Sequence, residues 1–145
     1  MAGRAGRDDV PGKVFIQTFV PFHYAVACAK QHDYENFYAK EIRIREELRF
    51  PPFRRLVQVL LEGPLERVVA RKAASFRKHT EESGKALGID ISGPAPCIVS
   101  KRRGRFLWNL FYKGDDILRM NAFLREKIGD FDQKGIRMTV DVDPR

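Results

Sequence analysis

The stretch Gly93–Lys113, GPAPCIVSKRRGRFLWNLFYK, constrains the fold most, because it reads as two strands with almost no chain between them. Strand-like runs at Cys97–Ser100 and Phe106–Tyr112 flank a compact basic tip, Lys101-Arg102-Arg103-Gly104-Arg105. A connection this short makes an antiparallel hairpin, and Gly104 supplies the backbone freedom that a tight turn needs. Along the second strand Phe106, Trp108, Leu110 and Tyr112 share one face, while Arg105, Leu107, Asn109, Phe111 and Lys113 share the other. The first face can wall a core. The second mixes cations with apolar and amide groups and suits a solvated sheet face or a nucleic-acid platform. The cations of the tip either keep the turn soluble or meet phosphates, and the aromatic neighbours favour the second reading.

The segments around the hairpin complete a pattern. Arg55–Glu62 alternates as a strand with Val57, Val59 and Leu61 inward, and Leu65 to Leu87 reads as a helix with Leu65, Val69, Ala73 and Phe76 on one stripe. Ile89–Ser100 is an extended run interrupted by Gly93-Pro94-Ala95-Pro96. After the hairpin, Asp115 or Asp116 caps a helix reaching Ile128, with Ile117, Met120, Leu124 and Ile128 inward, and Ile136–Val142 alternates as a last strand. The order is βαββαβ, the ferredoxin-like split βαβ arrangement: one antiparallel sheet, two helices on one face, and the other face free for a ligand.

Upstream, Lys13–Phe19 reads as a buried strand, His23–Gln31 as a short helix, and Tyr34–Leu48 as a longer helix capped by Asp33. Arg49-Phe50-Pro51-Pro52-Phe53 ends that helix, which places a boundary between residues 1–52 and a domain over 53–145. A net charge of +8 over 145 residues favours an anionic partner. No apolar run is long enough to span a membrane, and with no signal segment a cytoplasmic setting, with no membrane partner, is expected. Cys28 and Cys97 stand far apart without a CxxC, which argues against a cysteine zinc site and for two reduced thiols.

Several short stretches, in order and over nearly the whole chain, resemble one family. Residues 2–7 (AGRAGR), 11–18 (PGKVFIQT), Pro21-x-His23, the run His32-Asp33-Tyr34-x-x-Phe37-Tyr38, Glu41-x-x-x-Arg45, Phe50-Pro51-Pro52-Phe53, Gly93-Pro94-Ala95-Pro96 and Asp141-Val142-Asp143-Pro144 are similar to the C-terminal part of primosomal protein N′, the PriA family. The resemblance implies an α+β fold, with a C-terminal domain like a small-subunit ribosomal protein. The terminal strand and helices of a RecA-like helicase lobe would precede it. It also implies that the chain is a fragment of a much longer ATP-dependent 3′–5′ DNA helicase of superfamily 2, a replication-restart protein that uses ATP, Mg²⁺ and zinc.

Gly3, Arg4, Gly6 and Arg7 match helicase motif VI, whose arginines reach ATP phosphates. The phosphate-cradling loop, the DExH box and the cysteine-rich zinc module are absent from this sequence, so no ATPase and no bound cofactor are expected of this chain by itself. The implied role is fork recognition and primosome assembly, with single-stranded or forked DNA, single-stranded DNA-binding protein and other primosome proteins as partners, in a nucleoid-associated cytoplasmic setting. The residues expected at DNA are Lys101, Arg102, Arg103, Arg105 and Trp108, though Trp108 also reads as a core residue. Those expected at the acidic tail of single-stranded DNA-binding protein are Lys113 and Arg119. The family's hairpin strand carries an arginine where Leu107 stands here, so Arg103 or Arg105 would have to take its place. An interaction domain with only incidental DNA affinity is the alternative. A ferredoxin-like acylphosphatase is not supported, since Glu62-Gly63-Pro64-Leu65 offers no arginine-bearing phosphate loop.

Overall fold

The computed structural model describes residues 13–144 in full and the backbone of Gly6, Arg7, Val10 and Pro11. The chain divides into two compact units, Met1–Ile44 and Arg45–Arg145, so the division falls inside a helix. In the first unit β1 (Gly6–Arg7) pairs antiparallel with β2 (Val10–Pro11). Helix α1 (Tyr24–Lys30) starts at His23, whose Nδ1 accepts from the Ala25 amide, and α2 (Tyr34–Glu47) is capped by Asp33, whose Oδ1 accepts from the Asn36 amide at 3.1 Å.

The strand expected over Lys13–Phe19 does not form. That segment has no ladder partner among the described residues, and Phe15 (90% exposed) and Phe19 (105%) lie in solvent. A β-branched and aromatic run becomes a strand only when a neighbour satisfies its backbone.

The second unit has the expected βαββαβ order. Strand β3 (Arg55–Gly63) runs through the middle, hydrogen-bonded to β5 (Arg105–Gly114) on one side and β6 (Arg137–Val142) on the other. Strand β4 (Asp90–Arg102) lies outside β5, giving the order β4-β5-β3-β6 with every neighbour antiparallel. Helices α3 (Glu66–Ala86) and α4 (Ile117–Gly129) cover one face.

The core lies between these layers. It is built from Val57, Val59 and Leu61 of β3, Leu110 and Tyr112 of β5, Val69, Ala73 and Phe76 of α3, and Met120, Phe123 and Leu124 of α4. The α3 stripe begins at Val69; Leu65, expected at its head, precedes the helix and is exposed because its backbone is still extended there. Asp116 caps α4, accepting from the Leu118 and Arg119 amides at 2.9 and 3.0 Å. Gly93 is required where it stands, for its φ is +93° and a Cβ there would lie 2.8 Å from the Asn109 carbonyl oxygen.

Two polar arrangements fix the ends and the middle of this unit. Arg54 is only 9% exposed. Its guanidinium donates to Asp115 Oδ1 and to the Gly88 carbonyl, both at 2.8 Å, and to Asp90 Oδ2, tying the entry to β3 to the α3–β4 and β5–α4 connections. In the core, Thr80 Oγ1 donates to the Phe76 and Arg77 carbonyls, which leaves the Tyr112 hydroxyl to donate to Thr80 at 3.0 Å.

Replacing Arg54 with Met removes three charge-assisted bonds while keeping the aliphatic stem, and is expected to lower unfolding stability by about 2 kcal/mol in urea titration. Burial pushes the Tyr112 phenol up to about 12 from its ordinary value near 10, against the smaller opposing effects of Thr80 and Arg77. The folded state therefore holds that proton where the unfolded chain loses it. The contribution is complete below pH 10 and disappears as the pH rises toward 12. Tyr112→Phe is expected to cost about 1 kcal/mol near neutrality and to flatten the alkaline loss of melting temperature relative to the parent chain.

Candidate nucleic-acid interface

The site grows from the hairpin. Strands β4 and β5 meet at Arg102 and Arg105, and the two residues between them, Arg103 (φ +50°) and Gly104 (φ +78°), form a two-residue turn of the kind whose twist matches the strands it joins. An arginine held at positive φ in a turn is unusual, since such positions favour Gly and Asn. It carries its guanidinium at the outermost point of the sheet.

The tip cations differ in what already holds them. The Lys101 ammonium lies over the Phe106 ring, 4.8 Å from its centroid. Arg105 Nε is 3.4 Å from Glu62 Oε1, and the same carboxylate oxygen is 4.0 Å from Arg137 Nη1. Glu62 has a side chain only 16% exposed and so sits as a partly buried counter-charge between two arginines. Arg102 and Arg103 are exposed and have no carboxylate partner among the described residues.

Trp108 does not belong with them. It is half-buried on the core-facing side of β5 and packs against the hydrophobic cluster, which is the core reading its sequence position also allowed. The cause is strand parity, which sets Trp108 with Leu110 and Tyr112. On the face opposite the helices, Leu107 is buried and Leu56, Leu60 and Phe111 are half-buried, and the cations of this face, Arg105, Lys113 and Arg137, lie toward its ends.

The two cations expected at an acidic peptide also separate. The Lys113 ammonium donates to the Leu48 carbonyl at 3.0 Å and lies 4.3 Å from the Phe50 ring centroid, which commits it to the segment before β3. Arg119 is exposed at the rim of a recess of about 140 Å³ lined by Leu87, Gly88, Ile89, Gly114 and Met120. Asp115 and Asp116 border the same recess, but their carboxylates are engaged by Arg54 and by the α4 amides. Gly3 and Arg4 lie outside the described residues, and for Gly6 and Arg7 only the backbone is described.

Arg54 and Glu62, which organise the ends of the domain, do not stand out in the sequence. The signal for Glu62 is a carboxylate on the strand that pairs with Arg105 and Arg137. Among the described residues no group of three or more His, Cys, Asp or Glu could hold a metal ion, and no helix is long and apolar enough to cross a membrane.

The fold and this end of it define a small α+β domain with a split βαβ sheet and a cationic hairpin tip. The chain belongs to the family described as the primosomal protein N C-terminal domain, which matches residues 46–145. Nearly all of the chain also aligns with proteins named replication restart protein PriA. The one from Treponema pallidum is 36% identical over 99% of this chain and 22% of its own length. Those from Synechocystis and Bacillus subtilis are 32% and 31% identical, each over 99% of this chain, covering 17% and 18% of their own lengths. The chain thus spans about a fifth of the length of these relatives.

Neutralising the shared carboxylate tests the electrostatic arrangement directly. Glu62→Gln is expected to release Arg105 and Arg137 and to raise affinity for a polyanion. In heparin or DNA titrations the log K against log salt slope should become steeper by about one for each arginine freed. An unchanged slope would mean that Glu62 does not restrain them.

Proposed function

We propose that this chain is the DNA- and partner-binding C-terminal module of a PriA-type replication-restart helicase, acting in fork recognition and primosome assembly, and not a motor by itself. The observation that carries the reading is the pair Arg102 and Arg103, held without a carboxylate partner at the outermost turn of the sheet while their cationic neighbours are occupied. Guanidiniums so placed contact phosphates without reading bases, which suits recognition of fork structure over sequence. On the same reading residues 2–50 are the end of a RecA-like second motor lobe, and Gly3, Arg4, Gly6 and Arg7 supply part of its nucleotide-binding motif VI. ATP, Mg²⁺ and zinc then belong to other parts of the full-length protein, in a cytoplasmic, nucleoid-associated setting.

The test is a salt series of binding to labelled single-stranded and forked DNA, with the parent chain and an Arg102→Ala/Arg103→Ala variant. The parent should weaken linearly on a log–log plot, and the variant's slope should fall by about two, one for each phosphate that no longer meets a guanidinium. Equal slopes, or no binding by the parent, would sink the reading.

A second reading has its own observation in the Arg119 recess, where an exposed cation borders an apolar hollow whose nearby acids are already engaged. Such a site fits a short acidic peptide with an apolar end, the chemistry expected of the tail of single-stranded DNA-binding protein. With Lys113 committed elsewhere, Arg119 is the cation this docking uses.

A further inference from the structure

The hairpin tip does not stand alone at its end of the domain. Gly63 pairs with Phe106, so the turn projects from the sheet end where β3 stops and α3 begins. A Cβ placed on Gly63 would lie 2.8 Å from the Gly135 carbonyl oxygen, so the α4–β6 connection passes the same point. Lys72 of α3 also bonds that connection, donating to Asp132 Oδ2 at 2.7 Å. Three connections therefore converge, and the first turns of α3 rise beside them.

On α3, Arg67 and Arg71 fall on the face opposite the buried stripe of Val69, Ala73 and Phe76. Both are exposed, and neither has a carboxylate partner among the described residues. The acids of this end are partly spent. Glu62 is shared by Arg105 and Arg137, and the bond from Lys72 holds the Asp132 carboxyl below the usual carboxylate range. The result is a cationic end in which Arg67, Arg71, Arg102 and Arg103 are uncommitted.

What this end lacks decides its ligand. Binding to single strands draws on exposed aromatic rings on which bases stack. Here Trp108 packs against the core and Phe106 lies under Lys101. The groups left to meet a nucleic acid are guanidiniums, which bind phosphate, and a duplex carries its phosphates twice as densely along its axis as one strand does. Arg67 and Arg71 are one helical turn apart, about 6 Å at 1.5 Å per residue, close to the spacing of neighbouring phosphates along a strand.

We infer that the end formed by the hairpin turn, the start of α3 and the α4–β6 connection is a sequence-independent clamp for the backbone of double-stranded nucleic acid, with Arg67 and Arg71 as its second pair of phosphate contacts. The inference rests on the reading of Arg102 and Arg103 as phosphate contacts and adds to it the duplex preference and the helix pair.

The 145-residue chain is titrated with a labelled blunt duplex and with one of its separated strands over a salt series. The parent should bind the duplex more tightly, with a slope of about 0.9 per phosphate neutralised against about 0.7 on the strand. Arg67→Ala/Arg71→Ala should lower the duplex slope by about two. Lys78→Ala/Lys85→Ala, which removes equal charge from the same helix farther from this end, should leave the slope near the parent's. The inference is overturned if the single strand binds as tightly as the duplex, if Arg67→Ala/Arg71→Ala keeps the parental slope, or if the Lys78/Lys85 variant shows an equal drop. In any of these cases a reduced slope for Arg102→Ala/Arg103→Ala still upholds the tip as a phosphate contact. A parent chain that binds neither probe removes both readings together.

Discussion

The second unit depends on the Arg54 guanidinium. A split βαβ sheet leaves its two crossover connections at one end with no strand to hold them, and the pairing of β3 with β5 does not fix where those connections lie. Arg54 does so by bonding Asp90, Asp115 and the Gly88 carbonyl at once. A guanidinium suits the task because its donors are fixed in a plane and reach several acceptors in different directions without further ordering. The cost of burying the charge is limited because Asp90 and Asp115 remain largely exposed and screened by water.

The two ends of the sheet are therefore unlike. At the Arg54 end the cation is enclosed and its carboxylate partners face solvent. At the hairpin end the arrangement is reversed: Glu62 is the enclosed charge and the arginines face out. Each buried charge is satisfied by side chains that stay near water, which lets a small domain hold ions near its core without an unpaired one. It also leaves uncommitted arginines of a +8 chain exposed at the hairpin end, where they can attract a polyanion.

Much of the second unit was legible in the sequence because its strands alternate cleanly. Val57, Val59 and Leu61, with Leu110 and Tyr112 opposite, carry the period-two signal that burial of one sheet face produces. The two-residue turn was legible from Gly104, and the α2 cap from Asp33. What could not be read were features made by distant residues meeting. Thr80 is a polar residue in the middle of a helix and gave no sign of lying fully buried; it does so because Tyr112, thirty-two residues on, supplies a hydroxyl to it. Arg54 stands between the Pro-Pro-Phe run and the start of the strand, with nothing in its neighbours to mark it for burial. The Lys13–Phe19 segment misled in the opposite direction, since a strand-like composition describes a preference for a sheet and cannot supply one.

The same logic separates the residues at the candidate interface. Sequence alone does not rank Lys101, Arg102, Arg103 and Arg105 within the tip, nor Lys113 against Arg119. The structure divides them by what each already touches: a ring for Lys101, a carboxylate for Arg105, a carbonyl and a ring for Lys113. An engaged cation must give up its present partner before it can meet a phosphate, whereas an unpaired one gives up only water and counterions. Counterion release is the larger gain for the second kind, so affinity should concentrate on the uncommitted arginines. Arg67 and Arg71 qualify on the same ground as Arg102 and Arg103, although they come from a helix whose outer face carries no motif that would single them out.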